Sequence, residues 1–398
     1  MSWPLVSIGD YVENVSSWNP LKSASQIPFF YIDLSSVDKD KKELDRNSIS
    51  KVLPSEAPSR ARQLVKSGDV LVATVRPNLN GVALVSEEYE DATASTGYCI
   101  LRPNIKKLDG QYLYYWVQNT TFVADMIGKA SGANYPAVSD KIIKESKIPL
   151  PPLAEQQRIA AILDEADAIR RKRQQAIQLA DDFLRAVFLD MFGDPVTNPK
   201  GWEVSSLRDL IHMQGGFAFK SGEFSDSGIP VVKIGNANKV GFTTKEIAFV
   251  MPKKPEKLVQ YELYPGDLLM SLTGTVGKDD YANVTEVTDH YEKYYLNQRV
   301  ARISIKSERI NKEYLKFLLA HPKLKGEMTK NNRGIRQANI SNSDIYELMI
   351  SVPDTESLEK FEKLVMRSKD IINNLKKCPD LEASLFSVLS QKAFAGKL

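Results

Sequence analysis

Two long segments of the chain carry apolar residues at alternating spacings of three and four. The first runs from Leu153 to Met191 and contains no glycine or proline. Its apolar positions, interrupted only by Arg173, predict one long helix with a heptad seam: Ile159, Ile162, Ala166, Ile169, Ala176, Ala180, Phe183 and Val187. Gly193 and Pro195 predict the end of this helix. At about 1.5 Å per residue, it would be a rod of roughly 57 Å.

The second helical segment follows Val352 and Pro353, and Pro379 predicts a kink or a short break in it. Its apolar positions repeat the same spacing: Leu358, Phe361, Val365, Ile372 and Leu375. An apolar seam is unfavourable in water, so we expect the two helices to pack antiparallel on each other. The alternative, in which each helix folds back onto its own globular head, stays open.

The remaining sequence occurs twice, with an offset of about 200 residues. The paired segments keep the same order in both halves: WPLVS from Trp3 with WEVSS from Trp202, IPFFYIDLSS from Ile27 with IPVVKIGNAN from Ile229, SGDVLVATVRP from Ser67 with PGDLLMSLTGT from Pro265, and the segments around Gly132 and Gly334. Chance matches would not stay in order, so the pattern indicates an internal duplication. Each half consists of a globular head followed by a helical segment.

The duplication and the helices predict four regions: a first head at 1–150, a central helix at 151–193, a second head at 194–352 and a distal helix at 353–398. In each head a Gly-Asp turn precedes a β-prone apolar run, which indicates a strand. Aromatic-rich stretches further on predict short helices. The expected fold class is therefore α+β, with two similar domains separated by a long antiparallel two-helix coiled coil and related by a pseudo-two-fold axis.

The 398 residues are 42% hydrophobic and 26% charged, which is typical of a folded, soluble protein. A net charge of +3 excludes a strongly basic protein that coats nucleic acid everywhere, but it permits local basic surfaces. The carboxylate-rich segment 36–45 is expected to be solvated surface. No apolar run reaches the roughly 20 residues of a membrane span, and we expect no secretory signal, because the first residues contain neither a basic nor an apolar region. With Cys99 and Cys378 far apart, we expect no disulfide framework and a cytoplasmic location.

Motifs for catalysis or metal binding are weak in this sequence. The segment 273–278 resembles a phosphate-binding loop, but Asp279 stands where a serine or threonine would bind magnesium. No GxGxxG motif opens a nucleotide-binding unit. None of His212, His290 and His321 has a helical histidine partner at the spacing of a metal site. We therefore expect no catalytic residue, metal or cofactor in this chain.

Two pairs of loops have compositions suited to nucleic acid. The candidate residues are Arg76, Asn78, Asn80, Lys129, Asn134 and Tyr135 in the first repeat and Thr273, Thr275, Lys278, Asn331, Asn332, Arg333, Arg336, Gln337 and Asn339 in the second. Arginine, lysine, asparagine and glutamine can read guanine and adenine edges in the major groove. The same residue types are also ordinary in turns, so plain surface loops remain an alternative. Because the loops differ between the repeats, the two heads would read different sequences.

The segment IPLPPLAEQQRIAAIL (148–163), followed by a long helix that ends in Phe192-Gly193-Asp194, resembles the central region of type I restriction-modification specificity subunits. The segments SVPDTESLEKFEKL and SLFSVLSQKAFAGKL resemble the distal region of that family, although Val-Pro-Asp-Thr replaces Pro-Pro-Leu there. The resemblance covers the whole chain in order. It implies two target-recognition domains that each read one half of a bipartite double-stranded DNA site, with the helices between them as a ruler.

The resemblance also implies partners and their cofactors. Two modification subunits would use S-adenosylmethionine to methylate adenine, and two restriction subunits would use ATP and magnesium for translocation and cleavage, so this chain carries no catalytic centre. The helix positions expected to bind partners or form the spacer are Leu153, Glu155, Gln156, Ile159, Ile162, Ile169, Phe183, Leu358, Phe361, Val365, Ile372 and Leu375. Two alternatives stay open: a reader chain for an enzyme that cuts on both sides of its site, and a coiled-coil scaffold with no DNA role.

Overall fold

The computed structural model describes residues 3–276, 278–330, 337–376 and 379–398, with the backbone alone for 337, 376 and 379–385. The chain divides into two compact units. Unit 1 comprises Met1–Gln175 together with Leu375–Leu398, and unit 2 comprises Ala176–Asn374. The first long helix contributes residues to both units.

Unit 1 is built from short strands arranged in two four-stranded sheets and two small ladders. The strands are β1 (Leu5–Ser7), β2 (Val12–Glu13), β3 (Phe29–Ile32), β4 (Val37–Asp38), β5 (Glu43–Leu44), β6 (Ser50–Val52), β7 (Ala61–Leu64), β8 (Val70–Ala73), β9 (Val82–Leu84), β10 (Thr93–Ser95), β11 (Tyr98–Pro103) and β12 (Lys147–Pro149). The helices are α1 (Gly110–Trp116), α2 (Thr120–Lys129), α3 (Asp140–Glu145) and the first part of α4 (Leu153–Phe192). The strand orders are β6-β3-β10-β7, β2-β11-β8-β9, β1-β12 and β4-β5.

Among the described residues, unit 2 repeats the order of these elements and adds three short strands and one short helix. Its strands are β13 (Glu203–Ser206), β14 (Ile211–Gly215), β15 (Phe224–Ser225), β16 (Ile229–Val232), β17 (Ala237–Asn238), β18 (Gly241–Phe242), β19 (Ala248–Val250), β20 (Glu262–Leu263), β21 (Leu268–Ser271), β22 (Thr273–Thr275), β23 (Val284–Glu286), β24 (Tyr294–Leu296), β25 (Val300–Ile305), β26 (Gln337–Asn339) and β27 (Met349–Val352). Its helices are α5 (Leu207–Leu210), α6 (Lys312–Ala320), α7 (Pro322–Thr329), α8 (Asn342–Tyr346) and most of α9 (Thr355–Lys376), after which α10 (Pro379–Phe394) belongs to unit 1.

The sheet topology confirms the internal repeat. The order β6-β3-β10-β7 in unit 1 corresponds to β19-β16-β24-β20 in unit 2, where β15 adds an edge strand. In both sheets the central pair, β3 with β10 and β16 with β24, is parallel, while its neighbours are antiparallel. The second sheet, β2-β11-β8-β9, corresponds to β14-β25-β21-β23. The predicted α+β class with two similar domains is therefore correct.

The long helices end where the sequence predicts. Helix α4 is 40 residues long, about 60 Å. Gly193 follows it with φ of +78°, the left-handed conformation that closes many helices and that glycine adopts without a steric cost. Helix α9 ends at Lys376 and α10 begins at Pro379, as the proline indicated, while 377 and 378 lie outside the described residues.

In unit 1, the first turns of α4 and the end of α10 pack on α1. Ile159 and Leu163 of α4 share one apolar core with Tyr112 of α1 and Phe394 of α10. The Phe394 ring lies 5.0 Å from the rings of both Tyr112 and Trp116. The beginning of one long helical segment and the end of the other therefore belong to the core of the same unit.

In unit 2, the last turns of α4 and the first part of α9 pack on α6. The Phe192 ring at the end of α4 lies 5.3 Å from Phe361 of α9 and 4.9 Å from Tyr314 of α6. Earlier in α4, Leu184 lines a cavity together with Ile372, which lies later in α9. Within unit 2 the two helices are therefore antiparallel, as expected.

The buried face of α4 differs from the predicted heptad seam. Ile159 is buried as expected, but Ile169 and Phe183 are 52% and 55% exposed, and Leu163 and Leu184 are buried instead. The reason is that each end of α4 packs on the short helices of its unit as well as on a second long helix. That contact turns a different set of side chains inward. The first turns of α4 pack on the head that precedes it and its last turns pack on the second head, so α4 does not fold back onto its own head as the alternative required.

Unit 2 contains a cluster of lysines and glutamates between its sheet and its helices. Glu286 at the end of β23 accepts hydrogen bonds from Lys312 of α6 at 2.7 Å and from Lys369 of α9 at 2.9 Å. Lys369 also donates to Glu313, which is fully buried, at 2.8 Å. Burial alone would raise the pKa of Glu286, but the hydrogen bonds from Lys312 and Lys369 outweigh it and lower the pKa to about 2.

Unit 2 is consequently expected to lose stability in acid. The ordinary pKa of Glu286 is 4.5, so the stabilisation from its charged form is complete above that pH and is lost as the pH falls towards 2. We expect the loss to reach about 3 kcal/mol. Denaturant unfolding between pH 5 and pH 2.5 measures it, with Glu286→Gln expected to flatten the pH dependence. The exposed Glu359→Gln is the control, and an equal flattening by that substitution would contradict the assignment.

Candidate nucleic-acid interface

In unit 1, the first candidate loop is the turn between the antiparallel strands β8 and β9. Arg76 and Asn80 both have left-handed backbones, with φ of +51° and +44°, and the short 3-10 helix Pro77–Leu79 lies between them. A left-handed conformation is uncommon for residues other than glycine, and such strain concentrates at functional sites. The strained turn presents Arg76 and Asn78 to solvent, and Asn80 is half-buried.

The second candidate loop of unit 1 lies directly beside this turn. A β-bridge joins Val75 to Ala137, and the Arg76 amide donates a 2.7 Å hydrogen bond to the Pro136 carbonyl. The Val138 amide donates to the Thr74 carbonyl at 2.9 Å. Two loops separated by about fifty residues in the sequence thus form one edge, which we call the unit 1 edge (residues 74–81 and 129–138).

The side chains of the unit 1 edge are not equally available. The guanidinium carbon of Arg76 lies 4.9 Å from the centre of the Tyr135 ring, and Tyr135 is 68% exposed. Asn134 is exposed as well. Lys129 forms an ion pair with Asp125 at 2.7 Å, so its charge is already balanced within α2. Arg76, Tyr135 and the exposed asparagines are the better candidates for contact with DNA.

Unit 2 builds the corresponding edge as a regular ladder. Strand β22 pairs with β26, with Thr273 opposite Asn339 and Thr275 opposite Gln337. Thr273 is buried and donates to the Asn339 side chain at 3.0 Å, so its hydroxyl is unavailable to a ligand. Thr275 and Lys278 are exposed. Of the other predicted residues, Asn331, Asn332, Arg333 and Arg336 lie outside the described residues, as does the side chain of Gln337.

The turn after β22 is not arranged as a phosphate-binding loop. The Thr275 amide, which a phosphate would need, donates to Asp280 at 2.8 Å. Asp279 is held by ion pairs to Lys239, at 2.7 Å, and to Lys325. Two carboxylates at this turn would repel a phosphate, which agrees with the weak motif in the sequence.

The segment 36–45 is wrongly predicted as plain solvated surface. Lys42, in the β4–β5 hairpin, has a left-handed backbone with φ of +58°. Its ammonium donates a hydrogen bond to the Asn80 carbonyl of the unit 1 edge at 2.6 Å. Tyr114 of α1 donates to the Lys42 carbonyl at 2.8 Å. Burial lowers the pKa of Lys42. The sequence carries no local signal for this role, because the contacts come from residues 38 and 72 positions away.

The predicted helix positions fall into two groups. Gln156 is 1% exposed, accepts from the Asp109 amide at 2.8 Å and donates to the carbonyls of Lys107 and Pro151, so it stabilises unit 1 and cannot contact a partner. The other buried positions are Ile159, Leu358, Phe361, Val365 and Ile372. The half-buried or exposed positions are Leu153, Glu155, Ile162, Ile169, Phe183 and Leu375.

The described residues offer little other chemistry. Among the described residues, no group of three or more histidine, cysteine, aspartate or glutamate side chains could hold a metal ion. In the same part of the chain, no helix is long and apolar enough to cross a membrane. Cys99 is buried, and burial raises the pKa of its thiol to about 12, so it is unreactive at neutral pH.

Fold and interface together define a class: a protein of two similar α+β units, each with an exposed loop edge, joined through long helices. The family model for the type I restriction modification DNA specificity domain matches residues 34–179 and 199–377. The chain belongs to this family, as the central and distal helical segments indicated, and it is a specificity subunit of a type I restriction-modification system.

Curated relatives agree with this assignment. The chain is 26% identical to the MjaVIII specificity subunit of Methanocaldococcus jannaschii over 93% of its own length and 86% of the relative. It is 22% identical to the EcoKI specificity subunit of Escherichia coli K12, over 84% and 76% of the two chains. These relatives are named as specificity subunits, the non-catalytic component of such systems.

Two solved structures share the fold. One, from a study of complex assembly and conformational transition of the type I R-M system, has a TM-score of 0.55 at 22% identity and covers 100% of this chain and 98% of its own. The S subunit of a type I restriction-modification system from M. genitalium has a TM-score of 0.54 at 13% identity, over 99% and 96% of the two chains.

Proposed function

We propose that this specificity subunit recognises a bipartite double-stranded DNA site, with each unit reading one half. The observation that carries the proposal is that both units build an exposed loop edge at the same place in a repeated fold, from residues that differ between the units. A common frame with different exposed side chains is suited to reading two different sequences. Arg76 and the exposed asparagines are of the residue types that form bidentate contacts with bases.

The proposed division of labour follows the repeat. Residues 1–150 and 194–352 form the two target-recognition domains, and 151–193 and 353–398 form a spacer. The candidate DNA-contacting residues are Arg76, Asn78, Asn134, Tyr135, Thr275 and Lys278, together with Asn331, Asn332, Arg333, Arg336 and Gln337. Thr273, Asn339 and Lys129 are less suited, because their polar groups are bound within the chain. A rod of about 60 Å, the length of α4, corresponds to at most about 18 base pairs.

The proposed partners are two modification subunits and two restriction subunits. The former would supply S-adenosylmethionine-dependent adenine methylation, and the latter ATP- and magnesium-dependent translocation and cleavage. The exposed apolar residues Ile169 and Phe183 of α4 are the helix positions best suited to partner contact, since buried ones such as Gln156 are inaccessible. A subunit that acts on host DNA would work in the cytoplasm.

Modification-sensitive sequencing of the host genome, with and without this gene, tests the proposal. We expect methyladenine to disappear from one split motif when the gene is deleted and to return when the wild-type gene is restored. In a host whose system is silent, the same readout applies to the complex reconstituted with its modification subunits on plasmid DNA. If the reconstituted complex neither methylates a split motif nor binds duplex DNA at low salt, a scaffold function replaces this one.

A further inference from the structure

The unit 1 edge holds one arginine in a prearranged position. The Arg76 guanidinium lies over the face of the Tyr135 ring, with 4.9 Å between its carbon and the ring centre. A cation over an aromatic face is attracted by the ring quadrupole, so Tyr135 restricts the positions that this long side chain samples. Within the part of the chain that the structure describes, no hydrogen bond or ion pair occupies the Arg76 guanidinium, so its N–H donors remain available.

The backbone under Arg76 is held just as firmly. Arg76 has a left-handed backbone. Its amide donates a hydrogen bond to the Pro136 carbonyl, and its carbonyl accepts one from the Leu79 amide at 2.8 Å. At the far end of the turn, Asn80 is also left-handed, and its carbonyl accepts from Lys42. A turn that is strained at both ends persists only when its surroundings fix it, and here two loops and a hairpin do so.

The chemistry of a fixed guanidinium points to one base. Arginine carries a rigid fork of donors and no acceptor. In the major groove, guanine presents two neighbouring acceptors, O6 and N7, whereas adenine presents an acceptor beside a donor. If the guanidinium approached an adenine edge, one of its N–H donors would face the N6 amino group of adenine, which is also a donor. Arg76 is therefore suited to guanine and unsuited to adenine.

We infer that Arg76 reads one guanine in the half-site recognised by unit 1, an inference that rests on the proposed DNA-reading function. Tyr135 is a positioning residue that holds the Arg76 guanidinium for this contact. The role of Tyr135 depends on its ring face and not on its hydroxyl group.

The test uses the complex of this chain with its modification subunits on a DNA library in which the half-sites are randomised. The wild-type motif is expected to contain one position that requires guanine. Arg76→Gly should let any base occupy that position, with a loss of discrimination of about 10- to 100-fold there. Glycine is the truncation of choice because it tolerates the left-handed backbone. Arg76→Lys keeps the charge but lacks the fork, so it should also lose most of the discrimination.

The Tyr135 variants separate positioning from a merely structural role. Tyr135→Phe should keep the wild-type motif, while Tyr135→Ala should lower the guanine preference by about two- to fivefold at the same position only. Lys141→Ala, which removes an exposed charge paired with Glu145 at 3.7 Å on α3, outside the unit 1 edge, is the matched control and should change no base preference.

The possible outcomes are distinguishable. A wild-type complex without any split motif would overturn the proposed function itself. Two results would overturn the guanine assignment alone. One is that Arg76→Gly leaves the wild-type motif unchanged, and the other is that it weakens recognition equally at every position, as expected of a phosphate contact. A Tyr135→Ala complex with the wild-type motif, or a Tyr135→Phe complex as impaired as Tyr135→Ala, would overturn the positioning role.

Discussion

Inserting seven residues after Gln175 and seven after Asn374 is expected to lengthen the spacer of the recognised DNA site by about three base pairs and to leave both half-sites unchanged. These are the two points at which the chain passes from one unit to the other. Seven helical residues add about 10 Å, which is about three base pairs at 3.4 Å each. They also make nearly two complete turns, with a drift of only about 20°, so the side chains beyond the insertion keep their facing.

The methylated motif of the variant complex, determined by modification-sensitive sequencing, measures the spacer directly. An insertion after Gln175 alone is the matched control. It lengthens one helix but not its companion, so we expect loss of methylation and not a longer spacer. If the double insertion is active and its motif keeps the original spacing, the helices do not act as a ruler.

Lys369→Met is expected to lower the free energy of unfolding of unit 2 by about 3–5 kcal/mol. Lys369 donates to Glu313 at 2.8 Å and to Glu286 at 2.9 Å. Glu313 is fully buried, and without the lysine its charge would be left uncompensated in the interior. Removing one partner of such a pair leaves the other to bear its full desolvation penalty.

Denaturant unfolding of the full chain provides the measurement. Adding Glu313→Gln to Lys369→Met should restore part of the loss, because the remaining side chain is then neutral. Lys363→Met is the control on the same helix: its ion pair with Glu359 is solvent-exposed, at 3.7 Å, and its loss should cost less than about 0.5 kcal/mol. Equal effects of Lys363→Met and Lys369→Met would contradict the assignment.

The repeat and the long helices could be predicted because their signals are local. Apolar spacing, the glycine after Phe192 and the proline at 379 act within a few residues of the features that they determine. The side chains that α4 buries could not be predicted in the same way. Positions such as Leu163 and Leu184 are selected by contact with α1 or α6, which lie far away in the sequence.

The candidate interface shows the same limit. The sequence indicated the loops that contain Arg76 and Tyr135, because their residue types suit nucleic acid. It could not show that the Arg76 guanidinium lies over the Tyr135 ring, nor that Lys42 donates a hydrogen bond to the Asn80 carbonyl of the same turn. It also could not show that Thr273 is bound within the chain. Such pairings depend on strands and hairpins that meet across many residues.

By itself, the sequence determined the duplication, the α+β class, the places where the long helices begin and end, and the family. Periodicity, glycine and proline positions and the order of motifs are properties of neighbouring residues, so they can be read along the chain. Only the tertiary structure decided which face of α4 is buried and which loop side chains stay exposed. It also brought three lysines onto Glu286. The physical reason is that burial and electrostatic pairing depend on distance in space, and separation along the chain does not determine that distance.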